Sequence, residues 1–95
     1  MITITAKQTI KADMIDRYHE MAKELVEKSR AEEGNVHYYS VQDRQDPRVH
    51  MFVEIWKDQA AIDKHNATEH FQRIVPQFAA MFDAEEVVSF YNVIL

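Results

Sequence analysis

The sequence has no cysteine, one glycine and two prolines among 95 residues. Without cysteine there is no disulfide framework and no thiolate nucleophile. One glycine cannot build a glycine-rich phosphate loop. No apolar run approaches the length of a membrane span, and the N-terminus "MITITAKQTI" alternates as a strand does, unlike a signal peptide. Acidic residues outnumber basic ones, for a formal net charge of −5. That balance argues against nucleic acid or an anionic membrane as a partner. No linker, repeat or low-complexity segment interrupts the chain. The expectation is a soluble, cytoplasmic protein.

Hydrophobic residues make up 46% of the chain, enough for a core. The length suits one small domain, residues 1–95. A domain this small buries a modest share of its surface, so self-association would add to its stability.

Residues 2–10, "ITITAKQTI", read as strand one. Asp13 is placed to cap the helix that follows. That helix carries Met14, Tyr18, Met21, Ala22, Leu25 and Ser29 on one arc at the 3.6-residue period. Gly34, after the acidic "AEE" of 31–33, is expected to end it in a left-handed conformation, with "AEE" as a solvated helix end. "NVHYYSVQ" (35–42) reads as strand two, and Asp46-Pro47 marks a turn. Strand three, 49–57, alternates: Val49, Met51, Val53 and Ile55 point one way, and His50, Phe52, Glu54 and Trp56 the other. Asp58 caps a short helix, 59–65, and Thr68 caps the next, 69–82. Phe71, Ile74, Val75, Phe78 and Phe82 share one face of that last helix, and Pro76 should kink it or make its middle irregular. "EVVSFYNVIL" (86–95) reads as strand four.

The order β-α-β-β-α-β, with the last helix broken, predicts an α+β, ferredoxin-like split βαβ fold. Four antiparallel strands would carry helices on one face. Both alternating sets of strands two to four contain large apolar residues. The open face therefore predicts a second copy of the chain, a homodimer.

His65 falls with Ala61 and Ile62 on an apolar stripe, and His70 at the edge of the next helix's apolar arc, near Met81. Two imidazoles thus border one space between helices and sheet. Each has a plain reading as a core-edge histidine bonded to a carbonyl. The spacing shows no metal site: the two are five residues apart across a helix break, no carboxylate stands at H-x-x-x-H spacing, and "HEMAKE" (19–24) faces solvent. No Ser-His-Asp arrangement is legible. Tyr38 and Trp56 are either pocket walls or plain core.

"EEGNVHYYSVQD" and "FVEIWKDQAAIDKHNATEHF" together resemble the antibiotic biosynthesis monooxygenase (ABM) family. Its pattern is roughly E-x-G-[small]-x-x-Y/F, then E-x-W/Y-x-[DS]-x-x-A-h-x-x-H, then H-F/Y. Here it falls on Glu32 or Glu33, Gly34, Asn35, Tyr38, Glu54, Trp56, Asp58, Ala61, His65, His70 and Phe71. The resemblance covers nearly the whole chain and implies a dimeric α+β barrel of ferredoxin-like subunits. The family includes cofactor-independent oxygenases of polycyclic phenols, quinol monooxygenases, heme-degrading oxygenases, and an isomerase of a phosphorylated dione in autoinducer-2 breakdown. Val75 stands where the heme-degrading members carry their axial histidine, and His65 where they carry a tryptophan, which argues against heme. "KHNATEHF" is most similar to the quinol-oxygenase and dione-isomerase branches.

What the resemblance implies is a monooxygenase with no cofactor and no metal, acting with O2 on a small quinol, phenolic or enolic substrate. Such a substrate loses a proton, and its anion passes an electron to O2 directly. The site needs a base, donors for the anion and a dry pocket. His65 is the candidate base, since imidazole titrates near working pH. Asn35 would hold an oxygen by its amide, and His70 would orient the substrate or share the proton. Tyr38, Trp56, Phe71, Phe78 and Met81 are the candidate walls. The isomerase reading uses the same parts without oxygen. A non-enzymatic dimer that binds a small ligand predicts the same pocket, but does not need a titratable His65.

Overall fold

The computed structural model describes residues 1–95. Strand β1 (Ile2–Thr9) leads through a 3₁₀ turn, Ala12–Met14, into helix α1 (Ile15–Arg30). Strands β2 (Asn35–Gln42) and β3 (Val49–Trp56) follow, then helices α2 (Gln59–Asn66) and α3 (Glu69–Phe78). A second 3₁₀ turn, Ala79–Met81, precedes strand β4 (Val87–Asn92). The sheet order is β2-β3-β1-β4, and every neighbouring pair is antiparallel. This is the ferredoxin-like split βαβ arrangement that the element order predicts. No helix is long and apolar enough to cross a membrane.

The alternation of β3 decides which side becomes the interior. His50, Phe52, Glu54 and Trp56 are buried on the helix side, with Ile4 and Ala6 of β1 and Tyr38 of β2. From α1, the buried Tyr18, Met21, Ala22, Leu25 and Val26 complete this core, and α2 and α3 add Ala61, Ile62, Ile74 and Phe78. On the opposite face Val49, Met51, Val53 and Ile55 are only partly buried. Around them Tyr39, Val41, Val87 and Tyr91 are 43–57% exposed. The outer face is thus a broad apolar surface, interrupted by Thr3, Thr5 and Lys7 of β1.

Several local expectations need correction. Asp13 does not cap α1: the chain enters a 3₁₀ turn at Ala12, which leaves Asp13 inside that turn, and no side chain caps either start. The last helix stops at Phe78 and tightens into the 3₁₀ turn, with Phe82 already extended. Pro76 lies within the helix, two residues before that stop. Strand β4 begins one residue later and ends three residues sooner than its apolar composition suggests. The Asp58 and Thr68 caps do form: Asp58 Oδ1 accepts from the Ala61 N–H at 2.9 Å, and Thr68 Oγ1 from the Phe71 N–H at 3.2 Å.

Gly34 is not left-handed, since no glycine has positive φ. It is glycine for lack of room. A Cβ there would lie 2.3 Å from Ala61 Cβ and 3.3 Å from Ala61 Cα. The turn after α1 therefore packs directly against α2. Gly34→Ala should cost about 1–3 kcal/mol through overpacking, measured by urea denaturation. Ala61→Gly added to that variant should restore much of the loss; a second loss of similar size would mean that the two positions do not compete for space.

Candidate active site

Close packing at Gly34 brings Glu32 onto the helix pair. Ser29 O accepts from the Glu32 N–H at 3.1 Å, and Glu32 O from the Asn35 N–H at 3.0 Å. The side chain, 15% exposed, then points at both histidines. Glu32 Oε2 lies 2.7 Å from His65 Nδ1 and 2.9 Å from His70 Nε2. The helix break fixes the two rings relative to each other. Thr68 Oγ1 donates to His65 O at 2.7 Å while capping α3, and the ring centroids stand 6.1 Å apart. "AEE" is therefore no solvated helix end. Nor did the spacing of residues 65 and 70 reveal a metal-ligand set, because Glu32 joins them from 33 residues away. The ligand-type atoms of the three lie within 4.8 Å of one another. "HEMAKE" also turns partly inward: Met21 and Ala22 are buried, and His19 Nε2 lies 2.8 Å from Nε2 of the buried His50.

A carboxylate only accepts, so the hydrogen bond to Glu32 puts the His65 proton on Nδ1. Nε2 then carries the lone pair, and it is buried with no hydrogen-bond partner. Glu54 Oε1 lies 4.0 Å away. Burial lowers the His65 pKa below its ordinary value, against the opposing pull of Glu32. The ring is packed by Trp56 (4.4 Å between centroids), Phe71 (5.1 Å) and Tyr38 (5.6 Å). Burial likewise pushes Glu54 up to about 7, although its Oε1 accepts the Trp56 indole N–H at 2.9 Å.

His65 and Glu54 border a cavity of about 240 Å³ between sheet and helices. Tyr38, Phe52, Ile62, Phe71, Val75 and Phe78 form much of its apolar wall. Val88 and Phe90 of β4 also line it, yet are 46% and 65% exposed, so the cavity opens along that sheet edge. A polar chain closes its far end: Tyr18 donates to Gln8 Oε1, and Gln8 Nε2 to Glu86 Oε2, each at 2.6 Å.

Of the residues singled out in the sequence, His65, Tyr38, Phe71 and Phe78 meet at this cavity. Trp56 stands behind His65, fully buried. His70 reaches the site only through Glu32. Asn35 lies off the lining, and its amide donates to His37 O at 3.0 Å across a bulge in β2. Met81 sits at the other end of the molecule, where its carbonyl accepts from the Lys11 N–H. Glu32 and Glu54 are the acidic residues that the reading of the sequence gave no role. Alternation groups Glu54 with Phe52 and Trp56, but which face they share is settled by the structure, where all three are buried.

A family model described as "Antibiotic biosynthesis monooxygenase" matches residues 1–77. The chain is 34% identical over 84 residues to "Putative monooxygenase YcnE" of Bacillus subtilis (strain 168), covering 88% of each. Among solved structures, that of an antibiotic biosynthesis monooxygenase superposes with a TM-score of 0.93 at 37% identity over the whole of both chains. A conserved protein from Methanosarcina mazei Go1 superposes at 0.91, with 29% identity over 95% of this chain and 89% of that one. With motif, fold and relatives in agreement, the chain belongs to the antibiotic biosynthesis monooxygenase family.

Proposed function

We propose that this protein is a cofactor-independent monooxygenase of a small quinol or related enolic substrate, with His65 as the base. The observation that carries this reading is the buried, unpartnered Nε2 of His65 at the wall of an apolar cavity, with Nδ1 held by Glu32. Nε2 takes the substrate's hydroxyl proton. The imidazolium so formed is stabilised by Glu32 across Nδ1. The electron-rich anion then reduces O2, one oxygen atom joins the ring, and the other leaves as water. For a hydroquinone the balance is substrate plus O2 giving hydroxyquinone plus water, with all electrons drawn from the substrate. Glu54, neutral over part of its range near pH 7, lies close enough to return the proton that the departing oxygen needs.

The size of the cavity favours a single-ring or smaller substrate over a polycyclic one. At about 240 Å³ it falls below the roughly 300–1,000 Å³ of sites for drug-sized ligands. The family's name and the description of the Bacillus subtilis relative support oxygen chemistry over isomerisation. The test is oxygen uptake by chelator-treated protein, without added flavin, across a panel of monocyclic hydroquinones and catechols. The expected result is one O2 consumed per substrate. No uptake with any member, alongside turnover of a small phosphorylated dione, would replace this reading by the isomerase.

The outer sheet face supports a homodimer joined there, since Tyr39, Val41, Val87 and Tyr91 leave a wide apolar surface bare. Sedimentation at micromolar concentration should give twice the chain mass of 11.2 kDa; a monomer would contradict this.

A further inference from the structure

We propose that Glu32, His65 and His70 form a binding site for one divalent cation of the zinc type. Two imidazoles and a carboxylate are a common ligand set for such ions. Their ligand atoms are already gathered within 4.8 Å. A tetrahedral ion bonded at about 2.0–2.1 Å sets its ligands roughly 3.3–3.4 Å apart. The present Glu32 contacts of 2.7 and 2.9 Å would open by about half an ångström, within reach of one glutamate torsion. The two imidazole nitrogens, within 4.8 Å of each other, would close by up to about 1.4 Å through a rotation of the His70 ring. The side chains of His65, His70 and Glu32 are 2%, 13% and 15% exposed, so the site is enclosed yet not sealed. A surface groove of about 450 Å³ beside Glu32 gives an approach. Its lining sets Lys57 and Lys64 against Glu32, Glu33 and Asp58, an excess of one acid that favours a cation.

A second observation points the same way. His65 Nε2 is buried without a partner, 4.0 Å from Glu54 Oε1. An ion on Nδ1 moves the ring proton to Nε2, which then faces a carboxylate able to accept it. This is the carboxylate–histidine–metal arrangement, in which an outer acid orients the ligating ring. One ion would therefore use the three gathered ligands, and closing the gap to Glu54 by about one ångström would pair the orphaned nitrogen.

The effect of the ion on turnover rests on the reading of His65 as the base. A proton on Nε2 removes the lone pair that takes the substrate's proton, so the loaded protein should be inactive. Binding does not depend on that reading. Chelator-treated protein is titrated with cobalt(II), followed by its visible absorption, and then with zinc in competition; circular dichroism confirms the fold of each variant. The expected result is saturation at one ion per chain, with tetrahedral cobalt absorption. Glu32→Gln and His70→Gln should each weaken binding at least tenfold, and Glu54→Gln by roughly tenfold. No saturable binding, or affinity unchanged in both Glu32→Gln and His70→Gln, would overturn the proposal. Saturable binding in a protein that stays active when loaded would uphold the site and refute the base.

Discussion

His65→Ala should lose on the order of a hundredfold or more in turnover, while the chain still folds. The imidazole stands at the cavity wall with its lone pair turned away from every hydrogen-bond donor. Removing it leaves the substrate hydroxyl without an acceptor there. The same change empties a space among Trp56, Tyr38 and Phe71, so some loss of stability accompanies it. His65→Gln separates the two effects: it keeps most of the volume and a hydrogen bond, but cannot take the proton, and should be nearly as inactive. Burial holds the His65 pKa below its ordinary 6.5. The base form therefore dominates above that range, and kcat/KM should fall on the acid side as pH drops below it, while loss of the Glu54 proton lowers turnover as pH rises through about 7. Full activity in both variants, with earlier melting alone, would make His65 a structural residue.

Glu32→Gln should be almost as damaging, although Glu32 does not line the cavity. A glutamine amide can turn its NH2 toward Nδ1. The imidazole then carries its proton on Nε2 and presents a donor where the reaction needs an acceptor. Substituting the acid that orients the histidine of a serine protease costs about 10⁴ in kcat by this route. Here the expected loss is on the order of 10²–10⁴, mostly in kcat with KM little changed. Glu32→Asp keeps an acceptor and should recover part of the rate. Equal losses in Glu32→Asp and Glu32→Gln, with a raised KM, would point to substrate binding instead of ring orientation.

The scaffold was legible because its signals are local. The strict alternation of β3 placed Phe52 and Trp56 on one face, and the i−3 and i−4 neighbours of His65 placed its ring indoors. What escaped the reading depends on contacts between distant segments. Gly34 looked like a helix stop, and only the position of Ala61 shows that it is a point of close approach. Glu32 looked solvated for the same reason: its partners lie on helices that the turn meets only because Gly34 lacks a side chain. Asn35 seemed free to bind a ligand until the bulge in β2 drew in its amide. A helix running unbroken to residue 82 would bring Met81 close to His70. The stop at Phe78 sends it toward Lys11. Glu54 was on the correct face in the alternation, but an acidic residue in a strand signals burial only when its neighbours are known.

The proposed chemistry turns on one proton. Long-range ¹H–¹⁵N correlation spectra of histidine-labelled, metal-free protein at pH 7 report the protonation of each ring nitrogen directly. The prediction for His65 is a neutral ring with the proton on Nδ1 and a bare Nε2, reverting to the opposite tautomer in Glu32→Gln. A proton on Nε2, or a charged imidazolium, in the wild-type protein would contradict it.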